Sequence, residues 1–144
     1  MGMGLDDEIV KEENVVSLEE KKKKQPFAYW NVGGEDFKLR LTTSVICQLE
    51  EKFKCNLLTL LDRYGGMMPL SIMLTITQGA MKTWRHGIKY EYVQALFDKY
   101  CEEGGTQLSF MTDVLMPIYQ VSGFFPESQQ EAMNRKVEEL KETL

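Results

Sequence analysis

The chain has no run of about 18 consecutive apolar residues, so the sequence predicts no membrane-spanning segment. Its opening residues carry no apolar, leader-like stretch, and the expectation is a cytoplasmic protein. Asp6 stands where a myristoylated Gly2 calls for Ser or Thr. Histidine occurs once, as His86 just before a glycine, which supplies no oriented nucleophile–base pair with a third group. The three cysteines, Cys47, Cys55 and Cys101, are odd in number and fit no metal spacing, so they read as reduced, partly buried thiols. Gly33-Gly34 is followed by no Lys-Ser or Lys-Thr and opens no helix, which excludes a phosphate loop. The carboxylate pairs Glu50-Glu51 and Glu102-Glu103 are adjacent in sequence, and adjacent residues of a helix do not face each other. Positive charge is scarce too. Lys and Arg number 17 against 22 Asp and Glu, a net charge of -5 that gives no electrostatic reason to bind a phosphate backbone. The sequence therefore predicts no catalytic residue, no metal and no cofactor. Nucleic acid is an unfavoured partner, although Lys82, Arg85 and Lys89 form a local basic cluster.

What is present is a chain of 144 residues, 43% hydrophobic and 27% charged, long enough for one domain with a core of its own. Residues 1–26 are charged and nearly free of aromatics, ending in four lysines at 21–24. Their composition cannot bury enough apolar surface to offset ordering, so a flexible arm is expected. Residues 27–125 form the expected domain. It begins with two β-type runs, FAYWNV and EDFKLRL, separated by Gly33-Gly34, a strong hairpin signal. Phe37, Leu39 and Leu41 alternate with Asp36, Lys38 and Arg40, the period of a half-buried strand. Tyr29 and Trp30 fall on opposite faces, so one covers the core and the other is more exposed.

Helices follow. Thr42, Thr43 and Ser44 supply capping hydroxyls for a helix to about Phe53, with Val45, Ile46, Leu49 and Phe53 as its stripe. Asn56 caps a second helix over 57–64, ended by Gly65-Gly66. The third, PLSIMLTITQGAMKTW at 69–84, is apolar nearly all round and must be covered on every side. A fourth is expected over 90–103, with Tyr92 or Val93, Leu96, Phe97 and Tyr100 inward. A fifth is expected over 108–122, kinked or split after Met116 by Pro117. Residues 126–144 read as a thin amphipathic helix with Met133, Val137 and Leu140 on one stripe. The fold class is thus mainly α: a small bundle of about five helices with an N-terminal β-hairpin, a flexible N-terminal arm and a C-terminal amphipathic helix.

Methionine is the unusual residue. Met67, Met68, Met73, Met81, Met111 and Met116 lie in the central region, where Met fills irregular gaps and also recurs on adaptable binding surfaces. Met67-Met68 sits in a loop between Gly66 and Pro69, which suits a groove for an apolar helix or strand. Trp30, Phe37, Met67, Met68, Phe124 and Phe125 are the candidate partner contacts, with Tyr29 replacing Trp30 if the strand faces are reversed. An exposed hairpin edge also permits pairing between copies, so a homo-oligomer is open.

Several of these segments together resemble the tail assembly chaperones of long-tailed phages and prophages, including those of gene transfer agents. The pattern is an aromatic strand and Gly turn, then Phe37-Lys38-Leu39-Arg40-Leu41-Thr42-Thr43, Ile46, Leu49-Glu50 and Asn56-Leu57-Leu58. Glu102-Glu103-Gly104-Gly105 and Ser122-Gly123-Phe124-Phe125 extend it, so that the likeness covers about 27–125. Cys55 departs from it, standing where many such proteins have glycine. The resemblance implies a non-enzymatic protein of the bacterial host cytoplasm. Such a protein binds the apolar tape measure protein during assembly, keeps it soluble and recruits tail tube subunits. The two alternatives from other classes are a small helical nucleic-acid-binding regulator and a structural tail or head-completion protein.

Overall fold

A computed structural model describes residues 26–125 and 127–142; the expected arm, Pro26 apart, and the Met133 side chain lie outside the described residues. The fold is mainly α with an N-terminal hairpin. Strands β1 (Ala28–Val32) and β2 (Glu35–Leu39) pair antiparallel, with Trp30 opposite Phe37 and Tyr29 opposite Lys38. Gly33 and Gly34 turn the chain with φ of 62° and 81°, the two positive values that a two-residue hairpin loop of this hand requires. The turn is anchored from afar, since the Gly33 N–H donates to Glu103 Oε1 at 3.0 Å. Trp30 and Phe37 face inward, and Tyr29 and Lys38 face out.

The helices are α1 (Thr43–Phe53), α2 (Leu57–Arg63), α3 (Leu70–Met81) and α4 (Tyr90–Glu102). They continue as α5 (Gln107–Phe110), a π-helical turn (Met111–Leu115), α6 (Met116–Val121) and α7 (Glu127–Glu142). The cap residues act as their chemistry requires. Thr42 accepts from the Val45 N–H, Asn56 from the Leu58 N–H, and Thr106 and Ser109 close a reciprocal capping box. Helix α3 is shorter than the sequence suggested, ending at Met81. It packs against β2, α1, α4 and the π turn, which seal Met73, Ile76, Thr77, Ala80 and Met81 from solvent. Ser71 is exposed and Thr75 and Gln78 are half-buried, so the cover expected on every side is open along that polar strip. The one buried hydroxyl there, on Thr77, donates to the Met73 carbonyl. Gly79 lets α1 cross closely, because a Cβ at that position would lie 2.8 Å from Val45 Cγ1.

Trp30, Phe97, Tyr100 and Phe110 meet edge-to-face or tilted, and so pin the hairpin to α4 and α5. The Trp30 Nε1–H has no acceptor among the described residues, and its indole is packed edge-to-face on rings instead. Of the two candidates on α4, Val93 is buried and Tyr92 is exposed.

The last helix is irregular next to Pro117, and the change falls just before Met116, where a π-helical turn gives way to α6. The run 107–121 is continuous, and a wider turn precedes the proline, with the Met116 N–H donating to the Met111 carbonyl five residues back. An extra residue in that turn displaces the carbonyl that the ring would strike, and the proline's missing N–H is absorbed at the first turn of α6. The position that needs left-handed backbone between α1 and α2 is Lys54 (φ 60°) and not Cys55, so the departure at Cys55 costs the turn nothing.

Two outcomes follow for stability. Replacing Lys54 by Gly removes the strain of a side chain in left-handed backbone, and denaturant unfolding should show a gain of about 1 kcal/mol. The buried Tyr119 hydroxyl donates to the Leu57 carbonyl at 2.8 Å, tying α6 to the start of α2. Tyr119→Phe should therefore cost about 1–2 kcal/mol. Burial, aided by Cys55, pushes the Tyr119 phenol far above its usual value. The native state therefore favours the neutral form. Its contribution is complete below pH about 10 and lost as pH rises through the raised value, so alkaline unfolding should be shallower in Tyr119→Phe.

Candidate partner-binding groove

Helix α2 carries its leucines on one broad arc. Leu57 and Leu60 are buried, whereas Leu58 and Leu61 are half-buried at the edge of the core. Together with Gly65, Gly66, Met116, Phe125, Val137 and Leu140 they line a cavity of about 620 Å³ between α2 and α7. Its floor is apolar, and Asp62, Lys136 and Glu139 stand on its lining as the charged groups. The Ser122-Gly123 turn carries the chain out of α6 and places Phe125 in this wall. The neighbouring Phe124 ring lies 5.1 Å from that of Tyr119, so Phe124 backs the site from the core side.

Helix α7 rests over one rim. Val137 packs partly buried against the core, and Lys141 Nζ lies 3.1 Å from Asp113 Oδ1 on the π turn. That contact raises the Lys141 pKa, first through the hydrogen bond and then through the charge of Asp113. The remainder of α7 from Arg135 onward is mostly exposed. The groove thus has one well-packed wall on α2 and α6 and one lightly held wall on α7. Its chemistry is burial of apolar surface, worth about 25 cal/mol per Å².

The six contact candidates separate sharply. Phe125 lines the groove and Phe124 supports it. Met67 is 38% exposed in the loop before α3 and lies outside the groove lining. Trp30, Phe37 and Met68 are buried core residues and none of them lines the groove, which corrects the expectation that they are exposed contacts. The reason is strand register for Trp30 and Phe37, whose shared face is the covered one. Met68 fills the gap beneath the chain as it enters α3, the plastic role that an unbranched thioether serves well. Tyr29 takes the outward position instead, 51% exposed. The sequence reading missed Leu58, Leu61 and Met116. The signal was available in α2, where leucine at four of the first five positions makes an apolar arc wider than one core contact covers.

Other potential chemistry is dispersed. Cys47 and Cys101 are exposed and Cys55 is half-buried, all as free thiols. His86 is exposed beside Arg85, Lys89 and Tyr92. Among the described residues no three His, Cys, Asp or Glu side chains are grouped to hold a metal ion, and no helix is long and apolar enough to cross a membrane.

No curated protein and no solved structure matches the chain. A family model described as "Family of unknown function (DUF6096)" matches residues 21–144, most of the length, and the chain belongs to that family.

Proposed function

We propose that the protein is a non-enzymatic chaperone of phage or prophage tail assembly. In this reading it acts in the host cytoplasm, holds an apolar helix of the tape measure protein in the groove between α2 and α7, and brings tail tube subunits to it. Two things support the reading. One is the sequence likeness over 27–125 set out above. The other, which carries the most weight, is the apolar cavity of about 620 Å³ walled by Leu58, Leu61, Met116 and Phe125. An amphipathic helix laid in such a groove is held by a few apolar anchors one turn apart. That mode suits a client whose apolar surface must be covered during assembly and then released, because it needs no covalent step.

The test is co-expression with the tape measure protein encoded beside this chain. The client should move from the pellet to the soluble fraction when the chain is present. Phe125→Asp places a charge in the apolar wall and should leave the client in the pellet, while the variant's own thermal unfolding changes little because Phe125 is only half-buried. A client equally soluble with and without this chain would end the proposal.

A further inference from the structure

A second surface lies outside the groove, on the outward face of the hairpin. Phe27 is fixed where the chain enters β1, because Arg40 Nη1 donates to the Pro26 carbonyl at 2.9 Å. The Phe27 ring meets Tyr29 at 5.1 Å and Trp84 at 5.5 Å, edge-to-face in both cases. Lys38 Nζ stands 5.0 Å above Phe27 and 5.9 Å from the Trp84 ring. Tyr29 and Trp84 are 51% and 39% exposed, a concentration of aromatic surface that a folded chain does not ordinarily leave to water. Beside them Arg85 lies over Phe37 and pairs with Glu35. Between these groups opens a pocket of about 390 Å³, with Phe37 and Met81 in its lining beside Trp84 and the charged Asp36, Lys38 and Arg85.

The charge here opposes that of the chain. Residues 26–40 and 82–89 hold five of the 17 Lys and Arg (Lys38, Arg40, Lys82, Arg85, Lys89) and only two of the 22 acidic residues, Glu35 and Asp36. The fold brings these two stretches together through the Arg85–Glu35 pair and the Lys38–Trp84 contact. A cationic, aromatic patch on an acidic protein selects an anionic partner with apolar groups.

We infer that this patch docks an acidic polypeptide segment bearing apolar side chains: one apolar side chain enters the pocket above Phe37 and Met81, and flanking carboxylates meet Lys38 and the basic 82–89 turn. A nucleic acid fits less well. The rings are engaged with one another and with the Lys38 ammonium, which leaves no pair of open parallel faces for bases. This surface is independent of the groove and does not rest on the tail-assembly reading.

The test titrates a short fluorescent peptide rich in Glu and Leu with the full chain and follows its anisotropy. Binding should occur at low salt and weaken as salt is added. Lys38→Glu and Trp84→Ala, both at exposed positions, should each weaken it about tenfold. Lys52→Glu, on the exposed side of α1, should leave it unchanged. Absence of binding, equal binding by Lys38→Glu and the parent, or displacement of the peptide by oligothymidine would each overturn the assignment.

Discussion

Helix α3 must keep most of its circumference out of water, and the placement of its neighbours follows from that constraint. Met73, Leu74, Ile76, Ala80 and Met81 are all buried, and the polar strip of Ser71, Thr75 and Gln78 is left toward solvent. Each of the larger ones contributes about 1.5–3 kcal/mol when covered. The cover comes from β2, α1, α4 and the π turn. Backbone polar groups make the seams. The Arg40 N–H donates to the Ala80 carbonyl at 2.9 Å, and Gln78 Nε2 donates to the Ile88 carbonyl at 3.1 Å. A two-stranded hairpin is marginal in isolation, and here it is held because β2 supplies one wall around α3.

Once α3 is enclosed, the remaining apolar surface is what cannot reach it. Helix α2 spends Leu57 and Leu60 on the core, and Leu58 and Leu61 are only half covered at its edge, next to Phe125 and the buried Met116. Helix α7 covers part of that strip with Val137 but brings few further apolar residues, so a groove persists. The aromatic patch on the hairpin has a different origin. Strand alternation sends Trp30 and Phe37 inward, and Tyr29 and Lys38 must then point out beside Phe27 and Trp84. The two surfaces differ in chemistry accordingly: the groove is apolar with mixed charge on its lining, and the patch is aromatic and cationic.

Much of the architecture was legible because local rules agreed with the tertiary outcome. Gly33-Gly34, Thr42, Asn56 and the all-round apolarity of 70–81 each specify their element without help from distant residues. The site was less legible. Whether Trp30 or Tyr29 faces out depends on which side of the sheet meets the helices, and that information lies in α4 and α5. Met68 looked like a loop residue and is buried, because burial of a loop side chain is set by what the loop passes over. The effect of Pro117 hinged on a wider turn upstream, a rearrangement that no spacing rule announces. The meeting of Phe27, Lys38 and Trp84 joins residues far apart in the sequence and leaves no periodic trace.

The central claim is that the protein works by apolar contact in the α2–α7 groove, and the methionines provide built-in reporters of it. Met116, buried itself, forms part of the groove wall, while Met73, Met81 and Met111 lie in the core away from it. The decisive measurement is a methyl NMR titration of the methionine-labelled full chain with an apolar helix from the tape measure protein. The account predicts that the Met116 methyl signal moves while those of Met73, Met81 and Met111 stay in place. A static Met116 signal at saturating helix, or equal movement of all four, would contradict it.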